Sequence, residues 1–363
     1  MDLTPFLLAW RTVALRDRQV VDALVHPSES APSPALTEVL SQWPGTYYWS
    51  DEPDGRHVIL TRPMPLPRER WWLNGALFLA TIVTTTWAGA LLRGVIDSDH
   101  VLAFFTAGWR AWMTGLAFSV PLVAILLSHE LGHYFTGRRY QLDVSPPFFI
   151  PVPPAPYLPF IGTMGAFIRL RTVLSDRRQL LDVGIAGPIA GFVVALPVLW
   201  LGLRFSHPLP PQYGSGLALW VDGSVIRLGD SGVTWLLRHA GPSGGGGLLL
   251  HPTAVAGWVG MFVTMLNLLP ISQLDGGHIL YAALPRLHRR VAVGVWVALL
   301  ALGFWTWSGW VVWAVVVLGL SRGRLGHPAV LSDERPLPAS RRRLCWAAVL
   351  LFLLTFMPVP FMI

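Results

Sequence analysis

The chain has 363 residues, of which 53% are apolar and 13% charged, with a mean hydropathy of +0.51. Soluble domains carry roughly 45–50% apolar and about 25% charged residues. The composition therefore excludes a disordered chain, a coiled coil and an ordinary soluble enzyme, and points to a polytopic membrane protein. The net charge is +7 and all 27 basic residues are arginine. They cluster at the ends of apolar runs, which is membrane-anchoring placement and argues against nucleic acid as a partner. The one cysteine, Cys345, excludes an internal disulfide and a cysteine-based metal cluster.

Residues 1–70 are the most polar part. The start, Met1 to Arg18, holds too short an apolar stretch for a cleaved signal peptide. Thr46-Tyr47-Tyr48-Trp49 and His57-Val58-Ile59-Leu60-Thr61 flank Glu52-Pro53-Asp54-Gly55, which predicts a hairpin with an Asp-Gly turn. Pro63, Pro65 and Pro67 form a stiff spacer to the membrane. The expectation is a small N-terminal α+β soluble domain.

Apolar runs begin at Trp71. The predicted spans are 71–92, 116–135, 180–203, 253–269, a long run over 291–320, and a short last one over 344–358. About 20 residues cross a 30 Å hydrocarbon core. One span through 291–320 would put the six arginines of 321–343 outside, whereas a tight helical hairpin turning near Trp307-Ser308-Gly309 keeps them inside. That makes six or seven transmembrane helices in all. Arg68 and Arg70, the arginines between 138 and 178, and Arg286, Arg289 and Arg290 then lie on the cytoplasmic side of the cell membrane. Residues 204–252 form an external polar loop ending in Gly244–Gly247. The parts are a domain and spacer over 1–70, a membrane core over 71–290, and a C-terminal hairpin, basic loop and last helix over 291–363.

The second span contains His129-Glu130-Leu131-Gly132-His133. Residues four apart on a helix lie one turn apart on nearly the same face, so both imidazoles can share one Zn²⁺. Glu130 points away from His129 yet close enough to reach water at the metal, the placement of a general base. Three ionisable groups inside a span are costly and need partners, and a metal satisfies both histidines at once. With Arg138 and Arg139 at the interface, the metal lies about 10 Å inside the cytoplasmic leaflet at 1.5 Å per residue. A catalytic zinc takes three protein ligands, so a third should come from another span. Asp275 is the best candidate, in the stretch Asn267-Leu268-Leu269-Pro270 through Leu274-Asp275-Gly276-Gly277-His278. It follows a proline break, where backbone can line a polar cavity. Asp275 can also cap the next helix, and His278 is a rival ligand. The Asn267 amide can serve as a catalytic donor to an oxyanion or make a structural interhelical bond.

The HELGH on one transmembrane helix and the Asn-x-x-Pro…Leu-Asp-Gly-Gly on a later one resemble the site-2 protease family of intramembrane zinc metalloproteases. The resemblance covers about residues 116–290. It implies His129, His133 and Asp275 as Zn²⁺ ligands, Glu130 as catalytic base, and a membrane-spanning protein as substrate. It also implies regulated cleavage, such as release of a membrane-held regulator. The PDZ and CBS domains that many relatives carry are not apparent in this sequence.

Segment 141–171 combines prolines 146, 147, 151, 153, 154, 156 and 159 with apolar and aromatic residues. The prolines exclude a regular helix, and an apolar non-helical stretch at membrane depth must be shielded or line a cavity. The expectation is a re-entrant, β-hairpin-like segment whose strand Gly162, Thr163, Met164, Gly165, Ala166 binds an unwound substrate by strand addition. Gly187 and Gly191 make a small-residue face for helix packing. His207, His239 and His251 in the external loop are expected to have no metal role. Two rival functions are a catalytically silent membrane scaffold or chaperone, which would be free to lose Glu130, and a metal or solute transporter. The transporter would need further polar groups along several spans, and few stand out: Thr81, Thr84, Thr85, Thr86 and Thr264.

Overall fold

The computed structural model describes residues 3–14, 18–29, 31–64, 69–96, 103–106, 108–153, 161–171, 174, 176–221, 224–241, 245–328, 330 and 337–362. The spacer prolines 65 and 67, Arg68, the prolines 154, 156 and 159, Tyr157, Phe160, Gly244 and Arg335 lie outside these residues.

The N-terminal unit is a four-stranded antiparallel sheet with one helix. Strands β1 (Leu7–Ala14), β2 (Arg18–Val25), β3 (Thr46–Glu52) and β4 (Gly55–Pro63) are ordered β1-β2-β4-β3, and α1 (Pro34–Ser41) crosses between β2 and β3. The Ser33 side chain caps α1 by accepting from the Leu36 amide, with Pro34 at the helix start. The helix buries Leu36 and Leu40 on Ala23, Val25, Val58 and Leu60, a core separate from the rest of the chain. The β3–β4 hairpin forms as expected, but one residue earlier. Glu52 pairs with Gly55, so the turn residues are Pro53 and Asp54. The fixed φ of Pro53 suits the first corner position, and Gly55 takes the left-handed φ of +141° as it opens β4.

The membrane part contains α2 (Trp71–Leu92), α3 (Ala103–Thr106), α4 (Gly108–Arg139), α5 (Arg177–Phe205), α6 (Gly232–Ala240), α7 (Pro252–Asn267), α8 (Asp275–Ala283), α9 (Pro285–Trp305), α10 (Gly309–Leu320) and α11 (Ala339–Thr355). Among the described residues, four helices are long and apolar enough to cross a membrane: α2, α4, α5 and α9. The protein is therefore a membrane protein. The expected six or seven spans are not all met by length. Helices α7, α10 and α11 have 16, 12 and 17 residues, or roughly 24, 18 and 26 Å at 1.5 Å per residue. Helix α4 outruns the predicted span at both ends and passes through Pro121.

The core lies where α2, α4, α5 and α7 meet, around Phe118, Leu122, Ile125, Leu199, Trp258 and Met261. Small residues allow the close approach, as membrane helices require. A Cβ on Gly115 of α4 would lie 2.0 Å from the Thr86 carbonyl oxygen of α2.

The run 291–320 breaks into α9 and α10 at Thr306 to Ser308. The Trp296 indole N–H reaches across to the Ala314 carbonyl at 2.9 Å and ties the two arms. Residues 204–252 are not an open loop. They form β7 (His207–Pro208), β8 (Leu217–Val221), β9 (Ser224–Leu228) and β10 (Leu248–Leu249), and α6 is closed by reciprocal Ser231–Thr234 capping. The chain end, β11 (Phe361–Met362), joins them in a five-stranded sheet of order β11-β9-β8-β10-β7. This pairing puts the C-terminus on the same side as 206–251.

Candidate active site

His129, Glu130 and His133 are all buried on α4. The Nδ1–H of His133 donates to the Val183 carbonyl of α5 at 2.7 Å. That bond fixes the tautomer and turns a lone pair on Nε2 inward. The two Nε2 atoms, on His129 and His133, lie 3.1 Å apart. Asp275, the first residue of α8, brings Oδ2 to 3.2 Å from His129 Nε2 and Oδ1 to 3.3 Å from His133 Nε2. The chain reaches this point by a sharp turn after α7. A Cβ on Gly276 would sit 2.0 Å from the Leu268 carbonyl oxygen, and one on Gly277 2.3 Å from that of Ser272. Only glycine fits at either position.

The three side chains suit a zinc ion. A tetrahedral site with bonds of about 2.0–2.1 Å has ligand–ligand edges of roughly 3.3 Å, and the observed separations are 3.1 to 3.3 Å. The donor set, two imidazoles and a carboxylate, is one that zinc favours. Asp275 Oδ2 is buried without a hydrogen-bond donor, an arrangement that calls for a cation.

Helix α5 is the floor of the site. The small-residue face packs α5 closely on α4, as expected, and it is the two histidines of α4 that it receives. A Cβ on Gly187 would lie 2.0 Å from His133 Nε2, and one on Gly191 would lie 3.2 Å from His129 Cβ. The sequence shows two small residues one turn apart but not which partner they meet.

Asn267, at the end of α7, does reach the site: its side-chain amide lies 3.2 Å from His129 Nε2. His278 is not among the three converging side chains and bonds to His327 at 2.7 Å. His251 caps α7 and His239 bonds to the Trp235 carbonyl. Among the described residues none of the three external histidines joins a metal-type cluster.

Strands β5 (Phe148–Pro151) and β6 (Thr163–Phe167) form an antiparallel pair beside the site. It is extended by the Val144–Leu170 bridge and anchored along α2. The Asn74 amide donates to the Pro147 carbonyl at 2.9 Å and the Thr84 hydroxyl to the Gly162 carbonyl at 2.6 Å. Ten helical residues separate these anchors, so the pair runs about 15 Å along a spanning helix. Past β6, the backbone N–H of Ile168 faces the Glu130 carboxylate. The five residues expected to contact substrate divide into two groups. Gly162 and Thr163 are buried and hold the hairpin. Met164 is 66% exposed, and Gly165 sits at φ +97° with open space around it, where β6 bulges against β5. Ala166 pairs with Phe149. The anchors Asn74 and Thr84 were not singled out as site residues from sequence; isolated polar groups on an apolar span were the available signal.

Comparison with known proteins gives the family. Residues 117–304, just over half the chain, match the family described as Peptidase family M50. A protein of Arabidopsis thaliana named "Probable zinc metalloprotease EGY2, chloroplastic" is 29% identical over 80% of this chain and 49% of its own length. Its Oryza sativa subsp. indica counterpart is 28% identical over 80% of this chain and 50% of its own. The Arabidopsis protein named for EGY1 is 28% identical over 67% of this chain and 43% of its own. The chain thus spans about half the length of the curated relatives it matches. No solved structure matches significantly. The matched segment holds the two histidines, the glutamate and the aspartate that converge at the floor of α5, and the chain belongs to peptidase family M50, the site-2 protease family.

Proposed function

We propose that this protein is an intramembrane zinc endopeptidase that hydrolyses peptide bonds of membrane-spanning proteins. One observation carries this reading: two imidazole Nε2 atoms and a carboxylate converge within 4.8 Å of one another among apolar helices, with Glu130 between them and the β6 strand. His129, His133 and Asp275 would hold the zinc. When bound, zinc lowers the pKa of its water to about 7 and polarises a carbonyl.

The chain's own groups supply the rest. Glu130 takes a proton from the attacking water and returns it to the leaving amide nitrogen. The Ile168 amide faces the Glu130 carboxylate. The Asn267 amide is near enough to donate to the developing oxyanion. A helical amide is hydrogen-bonded and shielded, so the substrate must unwind locally. The exposed Met164 side chain and the open space at Gly165 leave room for an extended segment beside β6. The arginine distribution favours placing the N-terminal sheet, the 138–178 segment and 286–290 on the cytoplasmic side of a cell membrane, with the site in that leaflet. Retention of Glu130 speaks against a silent scaffold.

The test uses purified, detergent-solubilised protein. Bound zinc is quantified and a panel of single-span substrates is offered to wild type and Glu130→Gln. About one zinc per chain in both, with cleavage by wild type and a loss of 10²-fold or more in the variant, is expected. No zinc in protein purified without chelator would sink the reading.

A further inference from the structure

Helix α8 carries Asp275 at its very start, yet no side chain caps that end. The first turn of a helix leaves backbone donors unpaired and frays unless something fixes it. The stretch before it is held in an unusual form: Ser272 is buried with φ +50°, a left-handed conformation that a non-glycine residue keeps only when its surroundings impose it. The imposing contact comes from far along the chain. The Ser272 N–H donates to the Leu325 carbonyl at 3.0 Å.

Two residues on, the same strap inserts His327 beside α8. Its Nε2 lies 2.7 Å from Nδ1 of His278, one turn after Asp275. Its ring lies over Tyr281 with centroids 4.6 Å apart. Its backbone N–H reaches Nδ1 of the buried His288 on α9 at 3.3 Å. His327 Nδ1 faces the Pro328 carbonyl, which can only accept. In the neutral ring, then, Nδ1 carries the proton and Nε2 accepts from His278 Nδ1–H. One face of the Asp275 turn rests on Leu268 and Ser272 through two glycines, and the other is pinned by 325–327. The strap lies outside residues 117–304, the segment matched to the family.

We propose that His327, acting through His278, is a positioning residue that holds the Asp275 carboxylate in register with His129 and His133. The proposal rests on the reading of Asp275 as a zinc ligand. Partners that orient a metal ligand contribute about 10- to 100-fold to metal affinity. His327 acts one residue further out, so the lower end of that range is expected.

The experiment uses the full chain in detergent with Co²⁺ as probe, since its visible bands report the geometry of the ligand set. Affinity is measured by chelator competition, and thermal stability in parallel. His327→Ala should weaken Co²⁺ binding by about 10-fold and change the position or intensity of the bands, with little change in Tm. His327→Gln, whose carboxamide oxygen can accept from His278, should restore affinity and spectrum. His278→Ala should match His327→Ala, and the double variant should be no worse than either. Wild-type affinity and bands in His327→Ala would overturn the proposal. So would lost affinity in step with lost Tm and unchanged bands, which marks mere packing. A wild type that binds no Co²⁺ would instead sink the metal-site reading itself.

Discussion

Among the described residues histidine and carboxylate come together in two clusters, which differ in what they can bind. In the membrane, His129, His133 and Asp275 converge; at the β3–β4 turn, so do Glu52, Asp54 and His57. The difference lies in the second nitrogen of each ring. His133 gives Nδ1–H to a backbone carbonyl, which leaves Nε2 as a lone pair for a metal. His57 has a carboxylate on each side, Asp22 on Nδ1 at 2.7 Å and Asp54 on Nε2 at 3.2 Å. Each ring nitrogen of His57 thus faces a carboxylate acceptor, and when both are protonated no lone pair is left for a metal. Asp22 is also engaged by Arg11 at 2.7 Å, and Glu52 and Asp54 stand exposed to water. A neighbour that fixes the tautomer, together with exclusion of water, distinguishes a metal site from an ion-pair cluster.

The strongest test of that contrast removes a ring from each. His133→Ala should take bound zinc from about one per chain to near none and abolish cleavage, because two ligands cannot hold the ion where three did. His57→Ala should leave zinc content unchanged. Metal analysis after dialysis reads both, and zinc lost from the His57 variant would break the distinction. The next effect grades the α5 floor. Gly187→Ala puts a methyl 2.0 Å from a ligand atom, whereas Gly191→Ala puts one at 3.2 Å from a carbon. The first should weaken zinc affinity by about 10-fold or more, the range seen when ligand support is disturbed. The second should be milder in the same chelator competition. Equal effects would mean that the glycines serve only helix packing.

Legibility from sequence follows the range of the interactions. The His129–His133 pair was readable because helix periodicity alone sets it, and Asp275 because a proline break and two glycines mark where backbone turns at depth. The role of Gly187 was not, because which helix face meets which is decided by packing across the chain. The sheet in 204–252 was missed for a similar reason. Its strands are only two to five residues long, and they pair with segments as distant as 361–362. The first two strands of the N-terminal sheet gave no separate signal either. Their alternation is weak where Trp10 and Leu8 stay exposed.

A smaller effect tests how the hairpin reaches the membrane site. Thr84→Val keeps the shape of the α2 side chain but deletes the hydroxyl on the Gly162 carbonyl. The lost bond costs about 0.5–1.5 kcal/mol. Backbone amides of 162–167 should exchange hydrogen faster, while zinc content stays at the wild-type level. Unchanged exchange would show that α2 does not anchor β6.

The smallest effect belongs to His57 and depends on pH. Burial opposes its charge, but the carboxylates of Asp22 and Asp54 outweigh this and raise its pKa above the ordinary 6.5. A group whose pKa is raised on folding stabilises the fold fully below its unfolded value, and that contribution is lost as pH rises through the folded value. The N-terminal sheet should therefore be more stable at pH 6 than at pH 8. Hydrogen exchange of the β2 and β4 amides in the full chain reads the change. Asp22→Asn removes the partner common to His57 and Arg11, so it should flatten the slope. A slope that survives that substitution would assign the pH response to another group. Zinc occupancy over the same interval, measured on the same samples, should not follow the His57 titration, because the two clusters share no residue.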